Sequence, residues 1–545
     1  MKITIDNQEF ELDEPMTILL AAKKMGIEIP TMCYFDGYDP FTSCMICMIK
    51  ETGSGAKLPA CSAQAFDGMV VETQSDEIKK FRKSTLELLL SDHVGDCEAP
   101  CRRGCAVDLE IPRMIRETGA NQMVEAVATV RRDVAIPSLL ERVCHAPCET
   151  PCRRVLHDDA LQIRHLALYA SDWDLQQETQ QLPEMKPASG KRVVIVGGGT
   201  TGLSAAHYLT VKGHACTILE RAERAGGRLH TDFDERLIPD WAFEGEIKVL
   251  EAMGIQFEYS RSVDDQAALQ ALNEEYDAVL LACGEKNAEE LEALGLEQGK
   301  KGIKYNAKTN QTANPAIFAA GNIVKPDKRL LKSAASAKDT SVLIDCYLEG
   351  TKIRLPDDVY DHRMGKLQDG EIDIFVDGAN AIPRLEPTEL DLKGFTREEA
   401  EVEATRCMHC DCREKDNCKL RDYSDDYEAS QKHFKGEERA HHMHLNQDAG
   451  AVYEAGKCIK CGLCVHVTQK HGEDFGFSFL GRGYDLKTTV SLGKTLKEGL
   501  DKVAAEVVYA CPTGALSANE KLGKPSFKIQ APAATAEDSQ PPQSA

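Results

Sequence analysis

The fold of the central part of this 545-residue chain is decided by residues 192–202, which read RVVIVGGGTTG. The largely apolar run over residues 192–196 predicts a buried strand, and the glycines that follow it directly predict a tight turn into a helix. In a GxGxxG turn, Gly197 permits the turn, Gly199 lets the backbone approach a pyrophosphate, and Gly202 allows close helix packing. The stretch therefore predicts a Rossmann-like, dinucleotide-binding domain.

The residues that follow favour one kind of dinucleotide. Glu220 ends the next predicted strand, where it can accept a hydrogen bond from a ribose hydroxyl. Residues 221–227 read RAERAGG, and two further segments read LACG at 281–284 and AGN at 320–322. Together these segments resemble the FAD-binding domain of the glutamate synthase small subunit and its relatives. The resemblance implies FAD rather than NAD, bound by Gly197, Gly199, Thr201, Gly202, Glu220, Arg221, Gly227, Arg228, Gly284, Gly321 and Asn322.

Two departures from that family matter. The family inserts a complete NAD(P)H-binding domain between the last two segments, but here only residues 285–316 lie between them, without a second GxGxxG. In addition, Asn322 stands where the family usually has Asp. We therefore expect a FAD domain that lacks the NAD(P)H domain, and a flavin-free Rossmann domain is the alternative.

Cysteine is the most informative residue type in the chain, with 21 copies against 2 Trp. Eighteen of the cysteines fall into tight groups, which leaves only Cys216, Cys283 and Cys346 isolated. A secreted disulfide scaffold would be short and would pair its cysteines across loops. Bunched cysteines in a long chain without a leader indicate iron–sulfur or metal ligation in a reducing compartment, so we expect a cytoplasmic protein.

The first group is spaced C-x10-C-x2-C-x13-C within short β-type runs, and it comprises Cys33, Cys44, Cys47 and Cys61. Loop amides can point at four such thiolates and offset their charge, which suits a [2Fe-2S] cluster. A zinc knot is the alternative, but it would use two C-x2-C pairs. The spacing resembles the N-terminal [2Fe-2S] domain of the large peripheral subunit of complex I and of iron-only hydrogenases.

The second group spans a predicted helical segment and comprises His93, Cys97, Cys101, Cys105, Cys144, Cys148 and Cys152. Its His-x3-Cys opening resembles complex I. Its remaining spacing resembles the double-[4Fe-4S] domain of the glutamate synthase small subunit and dihydropyrimidine dehydrogenase. That resemblance gives one cluster Cys97, Cys101, Cys152 and His93, and the other Cys105, Cys144 and Cys148. Six cysteines cannot supply the eight ligands of two clusters. The family's Glu/Gln ligand position falls on Ala167 here, which leaves the fourth ligand of the second cluster open; His165 is a nearby candidate for it.

Two further groups lie near the carboxyl terminus. Four soft ligands within twelve residues suit a [4Fe-4S] cluster, with zinc as the alternative; they are Cys407, Cys410, Cys412 and Cys418. A C-x2-C-x2-C run with a later Cys-Pro predicts one more [4Fe-4S] cluster on Cys458, Cys461, Cys464 and Cys511. The segments that flank this last group also resemble the ferredoxin region of the complex I large subunit.

We therefore expect a multidomain α/β and α+β protein with one [2Fe-2S] cluster, about four [4Fe-4S] clusters and FAD. The predicted parts are a β-grasp-type [2Fe-2S] ferredoxin domain (1–80), a helical double-cluster domain (81–175), a Rossmann-like FAD domain (190–350), a connector (351–395), a ferredoxin-like [4Fe-4S] module (396–522) and a disordered tail (523–545).

Composition excludes several functions. The formal charge of −23 opposes nucleic-acid binding, and the sequence has no apolar run long enough for direct membrane insertion. No Ser-His-Asp or paired-carboxylate catalytic set stands out, so the substrate-converting site is expected on a partner.

The sequence predicts an electron-transfer subunit of a multisubunit NAD(H)- or ferredoxin-linked oxidoreductase, such as a hydrogenase or formate dehydrogenase. Its partners would be an NADH/FMN-type subunit, a catalytic reductase or dehydrogenase subunit, or ferredoxin. One alternative is a glutamate synthase small subunit-like reductase that delivers electrons through FAD and its clusters to an acceptor. Another is a scaffold with a vestigial flavin domain and structural zinc.

Overall fold

The computed structural model describes residues 1–387, 394–434, 436, 439–447, 449–519 and 522. These residues form two compact units. The first unit contains residues 1–95 and the described residues from 413 onward, and the second contains residues 96–412. The predicted tail, 523–545, lies outside the described residues.

The amino-terminal part of the first unit is a mixed five-stranded sheet with one helix packed on it. Its elements are β1 (Lys2–Ile5), β2 (Gln8–Glu11), α1 (Ile18–Lys24), β3 (Met48–Glu51), β4 (Lys57–Pro59) and β5 (Met69–Glu72), and a long helix follows, α2 (Asp76–Ser91). The strand order is β2-β1-β5-β3-β4, with β1 and β5 parallel and the other neighbours antiparallel. This is the predicted β-grasp arrangement.

The second unit begins with short helices, as the sequence predicts. They are α3 (Pro100–Gly104), α4 (Ile111–Gly119), α5 (Met123–Asp133), α6 (Pro137–Val143) and α7 (Ile163–Leu175). Three of them, α3, α4 and α6, have proline in their first turn, where the missing N–H costs no helical hydrogen bond.

A parallel sheet follows in the same unit. The elements are β6 (Arg192–Val196), α8 (Thr200–Val211), β7 (Ala215–Leu219), α9 (Arg228–Thr231), α10 (Asp240–Ala252), β8 (Gln256–Glu258), α11 (Gln266–Glu275), β9 (Ala278–Leu281), α12 (Ala288–Ala293), β10 (Ile317–Ala319) and α13 (Leu330–Leu348). The order β10-β9-β6-β7-β8 is that of a doubly wound fold. The helical and sheet regions share one continuous apolar core. Residues 285–316 contain the single short helix α12.

Two helices complete the second unit, α14 (Glu371–Asp377) and α15 (Arg397–Ala404). Helix α15 packs against α4 and α7. The predicted module 396–522 is thus divided, because residues 396–412 belong to the second unit and the rest to the first. The physical reason is the shared apolar core, to which Ala400 and Ala404 contribute.

The carboxyl-terminal part of the first unit is built from short elements. They are α16 (Lys419–Asp426), β11 (Ala451–Tyr453), α17 (Leu463–Lys470), β12 (Phe477–Leu480), β13 (Lys487–Val490), α18 (Leu496–Gly499), α19 (Ala504–Ala510) and β14 (Leu516–Ala518). Strands β11 and β14 pair antiparallel, β12 and β13 pair antiparallel, and α17 packs on α19. The pairing of the first and last strands closes this module into the predicted ferredoxin-like arrangement.

A buried ionic network joins α5 and α7 of the short-helix region to α10 of the parallel-sheet region. The Arg131 guanidinium donates to Asp174 (Nε to Oδ2, 2.7 Å) and to Glu246 (Nη1 to Oε2, 2.9 Å), and all three side chains are at most 1% exposed. Glu246 also accepts from the Ser138 backbone N–H at 2.7 Å. Burial raises the pKa of Glu246, so the arginine is what keeps this carboxylate charged.

Replacement of Arg131 by methionine should destabilise the second unit by about 3–5 kcal/mol, because it leaves two buried carboxylates without their cation. Urea unfolding followed by circular dichroism measures the change. Arg236→Ala is the control: its side chain is 84% exposed, so its removal should change stability by less than about 0.5 kcal/mol. Equal effects of the two substitutions would contradict this account of the network.

Candidate cofactor sites

The glycine-rich turn between β6 and α8 has the geometry of a phosphate site. Gly197 has φ +111°, and a Cβ there would lie 2.6 Å from the Ala282 carbonyl oxygen. A Cβ on Gly202 would overlap the Gly197 carbonyl oxygen, whereas a Cβ on Gly199 would have no neighbour within 4 Å among the described atoms. The Thr200 hydroxyl at the start of α8 is buried without a hydrogen-bond partner within the described part of the chain. A helix N-terminus with such room fits a pyrophosphate.

A cavity of about 340 Å³ opens at this turn, along the carboxyl ends of the parallel strands. Nine of the eleven predicted cofactor-binding residues line it: Gly197, Gly199, Thr201, Glu220, Arg221, Gly227, Arg228, Gly284 and Asn322. The other two support the turn from behind. Gly202 packs under Gly197, and Gly321, with φ +72°, packs against the Thr201 side chain.

Several polar residues that line the cavity were not predicted from the sequence. Arg261 and Asp264 follow β8, and Glu285 and Lys286 follow β9. They belong to no sequence motif. The rule that ligands bind at the carboxyl ends of parallel strands is the only signal that would have indicated these loops.

Two predicted ligand residues are held by the protein itself. Glu220 accepts from the backbone N–H of Gly198 at 2.7 Å and of Ala222 at 2.9 Å, so its carboxylate fixes the glycine-rich turn. Asn322 donates through Nδ2 to Glu285 Oε1 at 3.3 Å and to the Asp327 carbonyl at 3.2 Å. Both residues line the cavity with their remaining polar surface.

The four amino-terminal cysteines meet in a loop region of the first unit. All four are buried, and hydrogen bonds from Cys44 and Cys61 lower the pKa of Cys33. The loop contains Thr42 and Met45 in the left-handed region, with φ of 55° and 56°. Four soft donors held by such a loop fit a [2Fe-2S] cluster.

The carboxyl-terminal cysteines of the first unit also surround one small cavity. Cys458, Cys461, Cys464 and Cys511 line it together with Tyr453 and Thr488. The Cys458 sulfur accepts from the Lys460 N–H at 3.4 Å, and burial raises the pKa of Cys511 to about 11. These donors fit one [4Fe-4S] cluster, which would hold the thiolates that burial otherwise disfavours.

The two cysteine sets of the first unit are neighbours. Phe41, in the loop between Cys33 and Cys44, packs its ring on His466 of α17 with centroids 4.2 Å apart. The same ring covers Gly462, at which a Cβ would overlap it. The loop that holds the first set thus rests directly on the loop that holds the second.

In the second unit, Cys105, Cys144 and Cys148 interact electrostatically with one another. The fourth donor is not where the sequence indicated. Ala167 is fully buried in the core, and the imidazole of His165 is engaged by Gln162 Oε1 at 2.8 Å and by Arg164 at 3.0 Å.

Glu141, three residues before Cys144, is the better candidate for that fourth donor. Its side chain is buried, and the Arg164 guanidinium lies near enough to interact with its charge. Burial raises the pKa of Glu141 to about 8, and its charge raises the pKa of all three thiols. A metal cluster would stabilise both the carboxylate and the thiolates.

The remaining predicted ligands are distributed differently from the sequence groups. Cys101 and Cys152 line a small cavity together with Cys407 and Cys410. The Cys97 sulfur accepts a hydrogen bond from the His362 N–H at 3.4 Å. The backbone carbonyl of Cys97 accepts from the Cys412 N–H at 3.1 Å. His93 and Cys418 belong to the first unit. Within the described residues, no group of three or more His, Cys, Asp or Glu side chains is arranged to hold a single metal ion.

Three family models match consecutive parts of the chain. A 2Fe-2S iron-sulfur cluster binding domain matches residues 1–76, dihydropyrimidine dehydrogenase domain II, with a 4Fe-4S cluster, matches residues 76–179, and pyridine nucleotide-disulphide oxidoreductase matches residues 151–340. The chain therefore combines two iron–sulfur domains with an oxidoreductase domain. The predicted fold class and both family resemblances are confirmed at this level.

Individual relatives cover parts of the chain. NADPH-Fe(3+) oxidoreductase subunit beta of Geobacter sulfurreducens is 30% identical over 238 residues, 42% of this chain and 35% of that protein. The glutamate synthase [NADPH] small chain of Bacillus subtilis is 31% identical over 37% of this chain and 41% of its own. An NADH-quinone oxidoreductase subunit of Rhizobium meliloti is 41% identical over 20% of this chain and 13% of its own. The chain thus spans about a third of the length of the first of these relatives.

Glu141→Ala should make the iron at Cys105, Cys144 and Cys148 labile, because one of four donors is lost. We expect iron content to fall by up to about four per chain, measured with acid-labile sulfide after anaerobic purification. Glu141→Cys should restore the iron by supplying a thiolate, and Glu125→Ala, on the exposed face of α5, should have no effect. Unchanged iron and an unchanged EPR spectrum in Glu141→Ala would show that Glu141 is not a ligand.

Two glycine substitutions should separate turn geometry from ligand access. Gly202→Ala should lower both the melting temperature and the bound flavin, because its Cβ overlaps the Gly197 carbonyl. Gly199→Ala should leave the flavin-free melting temperature unchanged and lower flavin affinity alone, since its Cβ enters the space left for a phosphate. A fall in melting temperature for Gly199→Ala equal to that for Gly202→Ala would contradict the assignment.

Proposed function

We propose that this chain is a flavin- and iron–sulfur-containing electron-transfer subunit of a multisubunit oxidoreductase. It would carry one [2Fe-2S] cluster, about four [4Fe-4S] clusters and FAD, and it would relay electrons between partner subunits. A single two-electron carrier among one-electron carriers is suited to splitting electron pairs. Two of the relatives, the NADPH-Fe(3+) oxidoreductase and NADH-quinone oxidoreductase proteins, are themselves named as subunits of larger enzymes.

The observation that carries this proposal is the contact between the dinucleotide helix and the helical region that contains Cys105, Cys144 and Cys148. Helix α8 begins at the glycine-rich turn, and its Tyr208 hydroxyl donates to the Asp133 carbonyl at 2.6 Å. Lys338 of α13 donates to the carbonyls of Val107 at 2.6 Å and Asp133 at 3.2 Å. Both side chains interact electrostatically with Cys105.

This contact keeps the electron path short. Tyr208 lies eight residues after Thr200 in α8. At a rise of about 1.5 Å per residue, the two residues are about 12 Å apart along the helix axis. A flavin in the cavity and a cluster at Cys105, Cys144 and Cys148 would therefore be linked through one helix. Cys148 in turn interacts electrostatically with Cys101, which extends the series.

The donor and acceptor are proposed to lie on other subunits. The segment 285–316, where a nicotinamide-binding domain would be inserted, contains only α12. The partners would be an NADH/FMN-type subunit, a catalytic reductase or dehydrogenase subunit, or ferredoxin. In the part of the chain that the structure describes, no helix is both long and apolar enough to cross a bilayer.

Anaerobic purification of the full chain, followed by iron, acid-labile sulfide, zinc and flavin analysis, tests the proposal. We expect about 18 irons and one FAD per chain, and essentially no NADPH or NADH oxidation by the isolated chain. Steady NAD(P)H oxidation would favour the glutamate synthase small subunit-like reductase. Zinc with little iron and no flavin would favour the scaffold.

A further inference from the structure

We propose that Cys101, Cys152, Cys407 and Cys410 together ligate one [4Fe-4S] cluster. The inference rests on the proposed function, since it assigns one of the clusters that function requires. In this set two thiolates from residues 407–410, more than 250 residues away along the chain, take the places that the sequence grouping gave to Cys97 and His93.

The four side chains converge on one small cavity of the second unit. They line it together with apolar residues that include Ala99, Ile115 and Leu161. The thiol of Cys101 interacts electrostatically with Cys407, Cys152 and Cys410, and the thiol of Cys410 interacts with Cys407 and Cys152. Four thiols that line one cavity and interact electrostatically across it match the four cysteine ligands that a [4Fe-4S] cluster needs.

The Cys407–Cys410 loop shares one backbone feature with the Cys458–Cys461 loop. His409, the residue before the second cysteine, is left-handed with φ 48°, and the equivalent Lys460 is left-handed with φ 55°. Both thiols of the first loop line the same cavity, as both thiols of the second line theirs.

Arginines of the helical domain hold this loop at both ends. On one side, the Arg154 guanidinium donates to the Arg406 carbonyl at 2.9 Å. On the other side, Arg116 makes a bidentate pair with Asp411, at 2.9 and 3.0 Å. These contacts hold the loop against α4 and against the segment that carries Cys152.

Arg153 adds a contact to the sulfur itself. Its guanidinium hydrogen-bonds to the Cys410 side chain and pairs with the buried Asp96. A cationic donor at a cluster sulfur stabilises the thiolate and tunes the reduction potential.

The proposed set differs from the sequence group Cys407, Cys410, Cys412 and Cys418. Cys412 does not line this cavity in the described part of the chain, and its N–H instead bonds the Cys97 carbonyl. Cys418 belongs to the first unit. Four thiolates could equally hold zinc on donor chemistry alone, so the experiment has to identify the metal.

A double-variant test decides whether Cys101 and Cys407 serve one cluster. Full-length Cys101→Ser, Cys407→Ser and the double variant are purified anaerobically, and iron, zinc, flavin and the EPR spectrum of the reduced protein are measured. We expect each single variant to lose the same [4Fe-4S] signal and about four irons. The double variant should lose no more than either single one, with flavin and the [2Fe-2S] signal retained.

Two controls complete the design. Cys346→Ser, at an isolated thiol near the end of α13, should keep all signals. Cys412→Ser should keep the EPR signal that Cys101→Ser loses. Loss of that signal in Cys412→Ser would overturn the grouping. The retained flavin and [2Fe-2S] signal show whether each variant has folded.

Three results would overturn the proposal. Additive loss of about eight irons in the double variant would place Cys101 and Cys407 in different clusters. Loss of one zinc in place of four irons would make the site structural. If the unmodified chain itself contained neither iron nor flavin, the proposed function would fail together with this inference, whereas the first two results leave the proposed function intact.

Discussion

The second unit depends on one buried cation, Arg406. Its guanidinium is fully buried and donates to Glu403 at 2.9 Å, to Asp158 at 3.0 Å and to the carbonyls of Ile382 and Asp159 at 3.0 Å. Burying a charge is costly unless every donor has a partner. Here Glu403 lies one helical turn before Arg406, and the other partners come from two other parts of the chain, residues 158–159 and Ile382. Pairing all of these groups fixes where residues 396–412 lie on the helices.

The pairing of Arg406 also positions the cysteine loop that follows it. Cys407 follows Arg406 directly, and the loop that it begins faces the cavity lined by Cys101 and Cys152. Iron–sulfur clusters require thiolates held at fixed positions around a common centre. A rigid ionic clamp is well suited to that requirement, because it places the sulfur atoms without relying on the metal to order a flexible segment.

The two units use different means to bring cofactor sites together. In the first, an aromatic contact between Phe41 and His466 joins the loop of one cysteine set to that of the other. In the second, Tyr208 and Lys338 extend from the flavin-type helices to Cys105. Each unit therefore contains neighbouring candidate cofactor sites, as the proposed stepwise electron transfer requires.

The sequence by itself determined the features whose parts are close in the chain. The glycine-rich turn, the β-grasp domain and the sets ending in Cys61 and Cys511 were recognisable because local spacing and strand or helix periodicity dictate them. Which of the other cysteines lie close together follows from the tertiary structure alone. Glu141, Cys407 and Cys410 reach the helical sites through packing of α6 and α15, and Lys286 reaches the flavin-type cavity through the order of the parallel strands. These contacts between residues far apart in the sequence depend on which apolar faces pack into one core. The spacing of residues within a motif carries no information about that packing.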